Sequence, residues 1–123
     1  MLGSQKLMAF VAARDLARAR DFYRDSLGLR LVGEDEFALV FDAGGTMLRV
    51  ARVRELASAP YTVLGWEVKD IIATAKSLLK AKIRLERYPG IEQDELGIWK
   101  SPGGARVAWF QDPDGNTLSI TQF

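Results

Sequence analysis

The chain has no cysteine and no histidine. Without cysteine, disulfides, thiolate nucleophiles and thiolate metal sites are all excluded, and a cytoplasmic location is permitted. The missing histidine is more informative, because it removes the commonest general base and the commonest transition-metal ligand together. Excess charge is missing too. Lys and Arg number 17 against 16 Asp and Glu, so no net field draws the chain to nucleic acid or to an anionic membrane. The basic residues that do gather, Arg14, Arg18, Arg20 and Arg24, are interleaved with Asp15, Asp21 and Asp25, the pattern of a solvated helix face. No apolar run approaches the roughly 18 residues of a membrane span. The run Leu7 to Ala13 behind Lys6 imitates a very short secretory leader, but Arg14 and Asp15 end it at once and it scans better as a strand.

What remains is the composition of an ordinary globular protein, 48% hydrophobic and 27% charged over 123 residues. That length predicts one domain, able to withdraw roughly two-thirds of its surface from water.

Leu7 to Ala13 predicts a strand buried on both faces, with Asp15 placed as a helix N-cap. Leu16, Ala19, Phe22, Tyr23 and Leu27 recur at helical spacing, and Gly28 stands as the stop. Three strand-like stretches follow, Leu29 to Val32, Phe37 to Phe41 and Thr46 to Val53, with Gly33 and Gly44-Gly45 as turns. The order then repeats. Thr62 to Val68 reads as a strand, Asp70 as an N-cap, and Ile71, Ile72, Ala75, Leu78 and Leu79 as the buried face of a second helix. Allowing one deletion in that helix, Leu29-Arg30-Leu31 aligns with Ile83-Arg84-Leu85, which indicates an internal duplication of a βαβββ module, about 6–53 and 61–122. Residues 86 to 104 are irregular, with a short strand near Leu96 to Trp99; Arg106 to Gln111 and Thr117 to Gln122 are firmer strands.

Asp112-Pro113-Asp114-Gly115-Asn116 between them is a tight hairpin turn, since proline sets φ for a type I turn and glycine supplies positive φ just after it. Its acids imitate the start of a calcium loop, but the glycine is misplaced and Phe123 stands where the bidentate glutamate belongs.

Asp15-Leu16, Phe22-Tyr23, Leu27-Gly28 and the turn Asp112 to Asn116 before an apolar strand together resemble the vicinal oxygen chelate superfamily, which holds glyoxalases, extradiol dioxygenases, fosfomycin-modifying enzymes and bleomycin resistance proteins. The resemblance covers about residues 6 to 122. It implies an α+β fold in which two βαβββ modules form an incompletely closed, barrel-like cleft, and a homodimer. It also implies four metal-ligand positions, which fall here on Met8, Val63, Ser119 and a residue within Met47 to Val50, with Arg49 the best match. None is His, Glu or Asp. Methionine and serine are poor ligands for hard divalent ions, valine cannot ligate and arginine repels a cation. The expectation is therefore no metal and no cofactor, as in the bleomycin resistance proteins.

With those four positions inward, strand alternation adds Phe10, Met47, Gly65, Glu67, Thr117 and Thr121 to the cleft lining. Gly65 either leaves room for a ligand or marks a bulge or twist. Arg49 either anchors an anionic ligand group, or pairs with Glu67 across the cleft, or simply reaches solvent. Of the aromatic residues Tyr61, Trp66, Tyr88, Trp99, Trp109 and Phe110, Trp66 and Phe110 read as core. Tyr88 and Trp99 lie in the irregular segment, where they either close over a flat ligand or meet a second subunit. The expected function is metal-independent binding of a small aromatic or amphiphilic molecule between the modules, with Met8, Phe10, Met47, Arg49, Val63, Gly65, Glu67, Trp99 and Ser119 as ligand contacts. Two alternatives stand beside it: a lyase or isomerase-type enzyme with Glu67 as base and Arg49 as electrostatic partner, and a non-catalytic assembly module.

Overall fold

The computed structural model describes residues 1–123 and divides into two compact units, 1–57 and 58–123. In the first unit, β1 (Met8–Ala13) leads to α1 (Leu16–Arg20) and then to β2 (Arg30–Glu34), β3 (Ala38–Ala43) and β4 (Thr46–Arg52). The sheet order is β1-β4-β3-β2, parallel between β1 and β4 and antiparallel elsewhere. In the second unit, β5 (Leu64–Glu67) and α2 (Ile71–Lys80) precede β6 (Trp99–Lys100), β7 (Arg106–Gln111) and β8 (Thr117–Gln122). Its order, β5-β8-β7-β6, repeats the first. Two βαβββ modules are therefore present. No helix is long and apolar enough to cross a membrane.

Each sheet buries one face beneath its helix. In the first unit Val11, Ala13, Leu39, Phe41, Leu48 and Val50 meet Ala19 and Tyr23 from the helical segment, all of them buried. In the second, Leu118, Ile120, Ala108 and Phe110 meet Ile71, Ala75 and Leu78. A fully buried residue of the Leu or Phe class contributes about 1.5–3 kcal/mol, so these two clusters account for most of what holds each module together. Both helices begin as expected. The Asp15 carboxylate accepts the N–H groups of Ala17 and Arg18 at 3.0 and 3.3 Å, and that of Asp70 accepts the Ala73 N–H at 3.0 Å.

Several expectations are corrected. β1 is not buried on both faces: Met8 and Phe10 alternate outward with 44% and 59% exposure while Val11 and Ala13 are covered. An apolar run records strand propensity, not the number of layers above it. The first helix continues beyond Arg20 as a π-helical turn, Asp21–Ser26, with the Leu27 N–H donating to Phe22 five residues back at 2.9 Å. Gly33 is not a turn but sits at a bulge inside β2; the turn is made by Asp35, whose carboxylate accepts the N–H groups of Phe37 and Ala38. On α2 only Ile71, Ala75 and Leu78 are buried, and Ile72 and Leu79 face outward. The alignment of Ile83-Arg84-Leu85 with Leu29-Arg30-Leu31 survives at one bridge: Leu85 opposes Phe110 as Leu31 opposes Phe41. Past that bridge the second unit replaces the rest of β2 by a long loop that returns as β6 at Trp99 rather than at Leu96.

Candidate functional site

The strand registers test the assignment of equivalent positions. Met8 lies opposite Met47 and Phe10 opposite Arg49. In the second unit the Val63 N–H donates to Thr117 at 3.0 Å, and Gly65 lies opposite Ser119. Met8 and Arg49 thus stand in the same diagonal relation as Val63 and Ser119, and Arg49 is the counterpart of Ser119. On the face of the first sheet that turns away from its helix, Met8, Phe10, Met47 and Arg49 are neighbours. On the corresponding face of the second, Val63, Gly65, Glu67 and Ser119 are neighbours.

These residues do not make a divalent-metal site of either face. The first unit offers a thioether and a guanidinium, the second an aliphatic side chain and one hydroxyl. No group of three or more Asp or Glu side chains clusters closely enough to hold a metal ion.

Gly65 marks no bulge and leaves no open space beside it. β5 and β8 pair without a register shift, so there is no bulge. The space that a Cβ would occupy is already used: it would lie 2.7 Å from the Ser119 Oγ. Glycine is present because Ser119, only 7% exposed, packs its hydroxyl against that backbone. Glu67 is exposed, with no hydrogen bond or ion pair to hold it in place. Arg49 is half-buried and forms no ion pair within its unit, whereas Arg20 pairs with Glu34, Arg24 with Asp21 and Asp25, and Arg30 with Asp42. Its charge is felt by Asp35, whose carboxyl is held below the usual range first by the N–H groups of Phe37 and Ala38 and then by Arg49.

The best-defined recess of the second unit is aromatic. Tyr61, Tyr88, Trp99 and Trp109, with Pro60, Thr62, Ile91 and Thr117, line an open recess of about 290 Å³, with Tyr61 at its exposed rim. Trp109 is the hub. Tyr88 meets it edge-on at 5.4 Å between ring centroids, and Trp99 lies 6.0 Å away at an interplanar angle of 33°. Burial raises the Tyr88 phenol above its ordinary pKa, with the nearby Glu86 charge adding to the shift, so the hydroxyl is protonated and can donate. No charged side chain lines the recess. Trp66 and Phe110, by contrast, stack at 6.4 Å and 21°, with Phe110 in the core as expected.

Sequence reasoning placed Trp99 at a site but left Trp109 unassigned. The signal was available: the hairpin at Asp112 to Asn116 pairs Gln111 with Thr117, which puts Trp109 opposite Ser119 and on the same face. Nothing in the sequence signalled Gln93, whose side chain ties together the loop carrying Tyr88 and Ile91.

The architecture has many counterparts. A protein from Sphaerobacter thermophilus of the glyoxalase/bleomycin resistance protein/dioxygenase superfamily superposes with a TM-score of 0.75 at 19% identity, covering 100% of both chains. A lactoylglutathione lyase from Agrobacterium tumefaciens gives 0.73 at 21% identity, covering 98% of this chain and 95% of that one. The fosfomycin resistance protein FosX from Listeria monocytogenes gives 0.74 at 11% identity, covering 98% and 93%. In sequence, the uncharacterized protein YraH of Bacillus subtilis is 30% identical, covering 86% of this chain and 88% of that protein. Residues 7–120 match the Glyoxalase/Bleomycin resistance protein/Dioxygenase superfamily, and the chain belongs to it.

Proposed function

We propose that this protein binds a small planar molecule of one or two rings in the aromatic recess of its second unit, and does so without a metal ion. The recess itself carries the reading: four aromatic side chains around about 290 Å³ with no charged group in the lining. That volume lies at the small end of ligand pockets, which span roughly 300–1,000 Å³. Aromatic pairs contribute about 0.5–1.5 kcal/mol beyond the area they bury, so ring faces already held in position favour a flat ligand. The hydroxyls of Tyr88 and Thr62 supply polar contacts that a ring nitrogen or hydroxyl of the ligand would meet, whereas that of Thr117 already donates to the Ala59 carbonyl at 3.3 Å. Metal independence rests on the donor set at Met8, Arg49, Val63 and Ser119, which suits no divalent ion. The acid–base alternative through Glu67 has no comparable support, because that carboxylate is exposed and nothing fixes it.

All three tryptophans lie in the second unit, at positions 66, 99 and 109, so intrinsic fluorescence reports on this half. Titration with indole-sized heteroaromatics such as quinoline is expected to quench it saturably, with the same midpoint in the presence of a chelator. Quenching that appears only when a divalent metal is added contradicts the metal-free reading, and no saturable quenching with any one- or two-ring compound contradicts the binding reading.

A further inference from the structure

The aromatic recess is built on an irregular segment, yet its two walls are fixed. Tyr88 lies on the outgoing leg of the loop and Trp99 on the returning leg, and both legs dock on β7. The Glu86 N–H donates to the Trp109 carbonyl at 2.8 Å, while Trp99 pairs with Val107. Between the legs stands one half-buried side chain with every polar site in use. The Gln93 amide nitrogen donates to the carbonyls of Glu86 at 3.0 Å and Gly97 at 2.8 Å, and its oxygen accepts the Tyr88 N–H at 2.8 Å. Two of these partners belong to the outgoing leg and one to the returning leg. Around this brace the Arg87 guanidinium donates to the carbonyls of Asp94 and Glu95, and the Asp94 carboxylate accepts the N–H groups of Leu96 and Ile98. Gly97 turns the returning leg at φ +92°, a backbone conformation that L side chains rarely adopt.

We propose that Gln93 is the positioning residue of the aromatic recess, setting the spacing of Tyr88 and Trp99 about Trp109, and that ligand affinity depends on it although it does not line the recess. The proposal rests on the binding function above. A loop of this length would ordinarily lose affinity to the entropy of ordering its side chains. Three hydrogen bonds from one amide remove that freedom in advance; only a carboxamide offers two donors and an acceptor in the same plane, and that of asparagine sits one methylene closer to the backbone.

The test reads the free protein and the complex separately. Trp99 and Trp109 are close enough to give an exciton couplet in circular dichroism, which Trp99→Phe identifies by abolishing it. Gln93→Met keeps the volume without the hydrogen bonds, and Gln93→Glu keeps an acceptor but sets a carboxylate against two carbonyls. Both are expected to lose the couplet, keep the β-sheet spectrum, and bind quinoline roughly tenfold more weakly, the equivalent of about one hydrogen bond. Glu92→Gln, an exposed neighbour, is expected to change neither. An intact couplet in either folded Gln93 variant overturns the proposal, as does a lost couplet with unchanged quinoline affinity. If the wild-type protein binds no one- or two-ring compound while the couplet still depends on Gln93, the binding function fails and the positioning of the tryptophan pair stands.

Discussion

At equivalent positions on the sheet faces turned away from the helices, the first unit carries Phe10, Met47 and Arg49 where the second carries Gly65, Thr117 and Ser119. The same topology supports two different surfaces. The first is a broad apolar face, with Met8, Phe10, Val32 and Met47 all at least 40% exposed. The second has small residues on its parallel strand pair and concentrates its large ones at the opposite edge, where Trp99, Trp109 and Tyr88 meet. What separates them is the connection after the helix. β2 follows its helix within a few residues, whereas residues 86–98 of the second unit make a loop that carries two of the recess-forming side chains. The two units share the layer that builds each core and differ in the layer on the opposite face of the sheet.

That comparison can be broken most forcefully at the core. Phe41 and Phe110 are 0% and 1% exposed and occupy corresponding places opposite Leu48 and Leu118. Phe41→Ala and Phe110→Ala are each expected to cost about 3–5 kcal/mol in urea denaturation. A large cost in one half only would show that the two cores are not equivalent.

Gly65→Ala tests a smaller difference. The new methyl group meets the Ser119 Oγ at 2.7 Å, which predicts a loss of about 1 kcal/mol, the lower end of overpacking costs. Adding Ser119→Ala removes that oxygen and is expected to restore stability. Failure of the rescue would mean that Gly65 is needed for its backbone rather than for the hydroxyl.

The helix ends differ too. The first helical segment is followed by Gly28 at φ +78°, the second by Lys82 at φ +64°. A side chain in the left-handed region costs about 1–2 kcal/mol, partly offset by the extra freedom glycine brings to the unfolded chain. Lys82→Gly is therefore expected to stabilise the protein by about 0.5–1 kcal/mol, and Gly28→Lys to destabilise it by a similar amount. Matched thermal melts of the two variants check both signs.

The smallest effect concerns pH. The Asp35 carboxyl is held low by backbone N–H groups, and that of Asp42 by its hydrogen bond to Arg30 and then by the Gly45 N–H. Depressed carboxyls contribute stability that is present above their unfolded value, about 3.9, and is lost as pH falls through the lower folded values. Both lie in the first unit. Tyr88 in the second is raised, so its contribution is present below about pH 10 and lost at higher pH. Comparing wild type with an Asp35→Asn, Asp42→Asn variant, the stability gap is expected to be small at neutral pH and to close in acid. A gap that persists in acid would contradict the assignment.

Much of this was legible in the sequence because it depends on local chemistry. Asp15 and Asp70 cap helices, and the turn at Asp112 to Asn116 sets the β7–β8 register: the Asp112 carboxylate accepts the N–H groups of Asp114 and Asn116 and the Asn116 side-chain amide. The pairing of Gly65 with Ser119 and of Phe10 with Arg49 across the parallel strands was legible for the same reason, since the hairpin and the N-caps serve as fixed counting points. The π-helical turn was not, because Phe22, Tyr23 and Leu27 keep an apolar stripe in either helical form. Nor was the aromatic recess. It depends on where an irregular loop returns to the sheet, and that is decided by a side chain, Gln93, whose polar bonds leave no hydrophobic period to read.

Indole N–H chemical shifts would report directly whether a flat ligand occupies the aromatic recess of the second unit without a metal. With quinoline added in the presence of a chelator, the Trp99 and Trp109 signals are expected to move together and saturate while Trp66, stacked on Phe110, stays in place. Movement of Trp66 alone, no movement at all, or shifts that require added metal would contradict the account.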